Sequence, residues 1–163
     1  MTDSSPDFEA LLRILVKHHV DFIVVGGICA VLHGAGIATF DLDVVHSRTP
    51  ENVERLLVAL DALDASYRGQ GTRRIRPQAS HLSSSGHQLL MTRWGPLDLL
   101  GEIGSGLRYD DLLNQTVEME VEPGVAIRVL NLEALIKVKE ELGHEKDKPV
   151  LAILRRTLEA AKG

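Results

Sequence analysis

Apolar positions in the first part of the chain recur with a helical spacing. In FEALLRILVKHHV, residues 8–20, Phe8, Leu11, Leu12, Leu15 and His19 fall at i, i+3, i+4, i+7 and i+11. Asp7 is placed to cap that helix, with Pro6 just before it. The period then changes. FIVVGG, 22–27, is a short apolar run stopped by two glycines, which predicts a buried strand. ICAVLHG, 28–34, predicts a short helix ending near Gly34, and TFDLDVV, 39–45, alternates polar and apolar residues as a second strand. Thr49-Pro50-Glu51 opens another helix, with Thr49 as N-cap and Pro50 at the first helical position, running to about Leu63.

Residues 66–94 hold clusters of Gly, Ser and Arg with little periodicity, and within them HQLLMT, 87–92, reads as a strand. Gly95-Pro96 is a turn signal, LDLL, 97–100, a third apolar strand, and GEIGSG, 101–106, a turn-forming loop. That loop lacks the Lys-Ser/Thr ending of a phosphate-binding P-loop. Residues 115–130 predict a hairpin around Glu122-Pro123-Gly124. Asn131 caps a helix over LEALIKVKEEL, Gly143 interrupts it, and a last helix follows from about Asp147 to Ala161. This order predicts an α+β fold: a mixed β-sheet, helices mainly on one face, and a C-terminal helical segment. A single domain over 1–163 is expected, with a core at about 8–130 and C-terminal helices at about 131–161.

Composition narrows the class. Apolar residues at 44% and charged residues at 25% are the balance of an ordinary globular protein, and aromatics at 4% leave the core to Leu, Val, Ile and Ala. No apolar run approaches the ~20 residues that span a bilayer, so no membrane association is expected. The start, Met1 to Pro6, carries Asp3 and no basic apolar leader, which speaks against a signal peptide. One cysteine, Cys29, rules out an internal disulfide and agrees with a cytoplasmic location. A net charge of −5 argues against holding long nucleic acid by bulk charge. Arg73, Arg74 and Arg76 are either a local basic patch or a solvated edge.

The chemistry concentrates on acids. On a strand, Asp41 and Asp43 point to one face and Leu42 to the other. Two carboxylates held that close repel unless a cation neutralises them, and Mg²⁺ prefers such oxygen ligands. Asp98, a lone acid in the apolar run Pro96-Leu97-Asp98-Leu99-Leu100, is costly in a core and cheap in a cleft beside a metal. Three carboxylates from neighbouring strands can hold two Mg²⁺ ions ~3.5–4 Å apart, the arrangement that serves in-line phosphoryl displacement. Gly26-Gly27, where the first strand turns into a helix, lets backbone approach a phosphate.

Strand, Gly-Gly, short helix, thirteen residues between Gly27 and Asp41, Asp-x-Asp on a strand and a third strand acid form one joint pattern. In VVGGICAVLHGAGIATFDLDVV, 24–45, it resembles the nucleotidyltransferase superfamily with the polymerase-β-like fold. The look-alikes are small proteins related to AbiEii-type toxins and the minimal nucleotidyltransferases, which suggests a toxin–antitoxin-like setting. His33-Gly34, Thr39 and the segment LEALIKVKEELGHEKDKPVL, 132–151, add to the likeness. The resemblance implies that Gly26 and Gly27 contact a nucleoside triphosphate and that Asp41 and Asp43 hold Mg²⁺. Asp98 would complete the metal site and accept a proton from the attacking hydroxyl. Lys139, with Lys137 as the other candidate, would contact phosphate. The reaction would move a nucleoside monophosphate to a hydroxyl and release pyrophosphate. ATP, GTP, CTP and UTP stay open, and so do a small molecule, a protein or an RNA end as acceptor, and a partner chain that completes the site.

One departure stands out: relatives often carry an arginine near the position of Ile37, where this chain reads Gly36-Ile37-Ala38. Arg73, Arg74 or Lys139 would have to supply the cation. A non-catalytic nucleotide- or partner-binding module of the same fold is therefore the alternative, and an unrelated α+β interaction domain the third reading. Elsewhere the histidines lack zinc-ligand spacing. Ser83-Ser84-Ser85 lacks a nucleophile elbow. Cys29 reads as a core residue, His33 as helix-end packing, and Trp94 as packing at the core edge or stacking on a base.

Overall fold

The computed structural model describes residues 5–163; the reading of the N-terminus at Asp3 falls on residues 1–4, outside them. Seven strands, β1 (Phe22–Val25), β2 (Leu42–His46), β3 (Ser66–Tyr67), β4 (His87–Thr92), β5 (Gly95–Leu100), β6 (Thr116–Glu122) and β7 (Val125–Leu130), form one sheet in the order β3-β4-β5-β2-β1-β7-β6. β2 runs parallel to β5 and β1 parallel to β7, while the other neighbours are antiparallel. The helices are α1 (Phe8–Lys17), α2 (Gly26–Leu32), α3 (Pro50–Ala62), α4 (Ala79–Leu82), α5 (Tyr109–Leu112), α6 (Leu132–Leu142) and α7 (Lys148–Lys162). The expected mixed sheet and α+β class are what the chain adopts.

Local signals account for the long elements. The Asp7 carboxylate accepts from the Ala10 amide at 3.0 Å, and Ala10, Leu11, Leu12 and Leu15 bury one face of α1. α1 stops before the expected His18-His19-Val20, because His19 turns left-handed with φ 58°. Thr49 Oγ1 accepts from the Asn52 amide at the start of α3, with Pro50 in its first turn. Asn131 caps α6 in the same way, and Gly143 at φ 64° ends it.

Bridged strand residues share a face of the sheet. Leu42, Val44, Leu97, Leu99, Leu90, Ile127 and Val129 lie on one buried, largely apolar face, which also takes in His46 and Gln88. α1 packs on β7 and α3, α2 on β1 and β2, and α6 on α2 and α7. At β4 the other face is open, so His87, Leu89 and Met91 are exposed while Gln88, Leu90 and Thr92 are buried.

Two expectations are corrected. β2 begins at Leu42 rather than Thr39, so Asp41 lies just outside the strand. Gly95-Pro96 is not the turn: the chain reverses at Arg93-Trp94, Thr92 pairs with Gly95, and both Gly95 and Pro96 belong to β5. Gly95 takes φ +125° there, a conformation that L side chains rarely adopt. Among the described residues no helix is long and apolar enough to cross a membrane.

Candidate active site

The parallel register of β2 and β5 sets Asp43 directly beside Asp98, on one face of the sheet. Leu42, between the two aspartates of the motif, is fully buried on the other face. Asp41 arrives from the turn into β2, where Thr39 Oγ1 donates to the Asp41 carbonyl at 3.3 Å. The three carboxylates come together all the same: one oxygen from each lies within 4.8 Å of the others.

Such crowding shows in the protonation chemistry. Burial pushes the Asp43 carboxyl up to about 8, the charge of Asp41 and contact with Asp98 add to it, and Lys139 opposes it. The Asp41 carboxyl is also raised, first by burial and then by hydrogen-bonding contact with Asp98, with Arg68 pulling the other way. Two carboxyls held protonated in this way, with a third carboxylate beside them, have the chemistry of a site for a hard divalent cation, which would replace the protons and relieve the repulsion.

Gly26 follows the Val25–Asp43 pair and takes φ +69°; a Cβ there would strike the Asp43 carboxylate. The missing side chain leaves room for that carboxylate and opens backbone to the cleft, which Gly26 lines. Gly27 has a different reason. A Cβ on it would sit 2.5 Å from Thr39 Oγ1, so packing against Thr39 already demands glycine.

Beside the acids lies a cleft of about 650 Å³, walled by Asp43 and Asp98 on the sheet side and by Leu135, Val138 and Lys139 of α6. Lys139 Nζ stands 3.5 Å from Asp147. Lys137 instead borders a separate cavity with Ser105 and Glu141, so of the two lysines only Lys139 faces the acids' cleft. Arg74 and Arg76 are both held by Asp64, and Arg73 is exposed in the same irregular segment. These arginines form a solvated edge and supply no cation to the trio. Ile37 packs against the core.

The cation that does reach the trio is Arg68. Its Nη2 donates to Asp98 Oδ1 at 2.7 Å, and its Nη1 donates to the Leu90 carbonyl at 2.7 Å. The sequence hid it, because Arg68 follows a two-residue strand in the stretch without periodicity, and only the pairing of β3 with β4 brings it across.

The remaining candidates take structural places. The buried Cys29 thiol, raised to about 12 by burial, donates to the Leu130 carbonyl at 3.1 Å. His33, at the end of α2, makes a 2.8 Å hydrogen bond to the same carbonyl through Nε2. Ser83 and Ser84 donate to the Ala79 and His81 carbonyls behind α4. Trp94 occupies the β4–β5 turn, partly exposed.

No protein-family model matches the chain, and no curated protein matches it. Solved structures do. A provisionally assigned nucleotidyltransferase of Thermotoga maritima superposes with TM-score 0.59 at 17% identity, covering 94% of this chain and 91% of that one. The antibiotic-resistance factor ANT(2'')-Ia, determined in solution, gives TM-score 0.57 at 15% identity over 96% of this chain and 82% of its own. The same factor in complex with adenylyl-2''-tobramycin gives 0.58 at 14% identity over 95% and 89%. At these identities the likeness shows the fold: the mixed sheet and its helices are arranged as in nucleotidyltransferases.

Proposed function

We propose that this chain is a divalent-metal-dependent nucleotidyltransferase that moves a nucleoside monophosphate from a nucleoside triphosphate to a hydroxyl acceptor. The observation that carries the reading is the convergence of Asp41, Asp43 and Asp98, the last two lining one cleft with Gly26 and Lys139, in a nucleotidyltransferase fold. Asp41 and Asp43, with Asp98 as third ligand, are the residues that would hold Mg²⁺. When bound, that ion would neutralise phosphate charge and polarise the phosphoryl oxygens. Gly26 admits the triphosphate backbone-close, and Lys139 places a positive charge on the far wall. The acceptor oxygen bonds to the α-phosphorus, pyrophosphate leaves, and the acceptor proton passes to Asp98. The neighbour held with adenylyl-2''-tobramycin is a precedent for a nucleotidyl group joined to an acceptor. The work of this chain would be positioning and charge compensation rather than covalent catalysis.

One observation favours a second reading. Asp98, the proposed proton acceptor, is engaged by Arg68, and no arginine stands at Ile37. A module that binds the nucleotide without turnover would have this look. Pyrophosphate release separates the two. Each triphosphate is offered with Mg²⁺ and with small-molecule, protein and RNA fractions of a cell extract as acceptors. Release that requires Mg²⁺ and is lost in Asp41→Asn supports the enzyme. Tight binding without release from any fraction supports the module, and release that survives Asp41→Asn and Asp43→Asn together refutes the assignment of the site.

A further inference from the structure

The cross-sheet row that carries the acids ends in an arginine. The Arg68 amide donates to the Leu89 carbonyl at 3.0 Å, Leu89 pairs with Asp98 across β4 and β5, and Asp98 pairs with Asp43 across β5 and β2. The guanidinium therefore lies along the row, with one nitrogen on Asp98 Oδ1 and another on the Leu90 carbonyl. The pair is largely shielded: the side chains are 28% and 11% exposed. Among the described residues Arg68 is the only cation within 4.0 Å of a carboxylate of the trio, since Lys139 has its ion pair with Asp147. A guanidinium does not give up its proton in a protein, so this charge is permanent.

We propose that Arg68 sets how many divalent ions the site accepts: it is a built-in cation on Asp98, and the nucleotide-free trio takes one ion. The inference rests on the reading of Asp41, Asp43 and Asp98 as the metal site. Charge balance carries it. Three carboxylates are met by one divalent ion and one guanidinium, and the site is neutral. A second divalent ion beside Arg68 would leave an excess of two positive charges at a partly desolvated place, where like charges are poorly screened. Without Arg68, two ions on three carboxylates would leave an excess of only one.

Mn²⁺ is the probe, counted on the full chain without nucleotide from the paramagnetic resonance of the free ion, after thermal melts confirm that each variant is folded. One Mn²⁺ per chain is expected in the wild type and in Arg68→Lys, and two in Arg68→Gln. Arg68→Met, whose apolar stem can still lie over Leu89, serves if Arg68→Gln does not fold. Adding Asp98→Asn to the arginine variant returns the count to one, because two carboxylates balance one ion and a second would again leave an excess of two. Two ions in the wild type, or one in both wild type and Arg68→Gln, overturn the role of Arg68 and leave the metal site standing. No Mn²⁺ in any of these proteins overturns the metal site together with it.

Discussion

Replacing Asp43 with asparagine is expected to stabilise the metal-free protein at alkaline pH, which is the opposite of what removing a structural ion pair does. Asp43 has its carboxyl raised from 3.8 to about 8, chiefly by burial. Folding therefore favours its protonated form. Between pH 3.8 and about 8 the folded state keeps a proton that the unfolded chain releases, so stability falls as pH rises through that window and levels off above it. At about 1.36 kcal/mol per pKa unit, a rise of roughly four units sets a ceiling of about 6 kcal/mol. Relaxation and water at a half-buried site reduce this, and we expect about 2–3 kcal/mol between pH 5 and pH 8.5. Asparagine cannot ionise, so the variant should lose only the share that belongs to Asp41. The assay is urea unfolding in a chelator at both pH values, read as the wild type minus Asp43→Asn difference, so that other titrating groups cancel. A wild type whose stability is flat or rises over this range, in step with the variant, would refute the reasoning. Saturating Mg²⁺ should erase the difference in favour of the wild type at pH 8.5, because a ligand bound only by the folded state stabilises it by mass action.

Three further outcomes follow from the same geometry. His46 is buried, bonds to the Leu82 carbonyl through Nε2 at 2.7 Å, and has its pKa lowered from 6.5, first by burial. Below pH 6.5 the unfolded chain takes up a proton that the folded state resists, so this contribution is lost as pH falls; His46→Gln in the Asp43→Asn background should flatten the decline in urea melts from pH 7 to 5.5. Gly26→Ala should cost about 1–3 kcal/mol through its positive φ and the collision with the Asp43 carboxylate. Gly36→Ala, where an added Cβ has nothing within 4 Å, is the control and should stay within about 0.5 kcal/mol in the same melts. Asn52 is fully buried and bonds the Asp21 amide, the Asp21 carbonyl and the Ser47 carbonyl, so Asn52→Ala should lower stability by about 2–4 kcal/mol. A loss under 1 kcal/mol would mean that those backbone groups find other partners.

What the sequence disclosed was whatever is written locally. Asp7, Thr49, Asn131 and Gly143 announced helix ends, and the strand read over HQLLMT has the bounds of β4, although which of its residues are buried, Gln88 and Thr92 among them, was not legible. The acids were legible because carboxylates inside apolar runs are expensive without a purpose, and Asp43 and Asp98 do lie side by side. What stayed hidden depended on pairing between distant segments. β3 is two residues long, so nothing in the local pattern marked Arg68 as the residue that would reach across Leu89 to Asp98. Arg74 and Arg76 looked equally available, and only the fold shows Asp64 taking both. Gly95-Pro96 misled for a related reason: the positive φ belongs to the first residue of a strand after a two-residue turn, and composition alone does not place the turn. Gly27 shows that a motif glycine can answer to packing, here against Thr39, while its neighbour Gly26 faces the cleft.

The central claim is that the Asp41, Asp43 and Asp98 cleft binds a triphosphate through a divalent ion. The most direct measurement is the thermal midpoint of the wild type and of Asp41→Ala/Asp43→Ala with ATP, GTP, CTP and UTP, each with and without Mg²⁺. The account predicts that at least one triphosphate raises the wild-type midpoint only when Mg²⁺ is present, and that the double variant, folded, shows no such rise. An equal rise in the double variant, or a rise that needs no Mg²⁺, would contradict it.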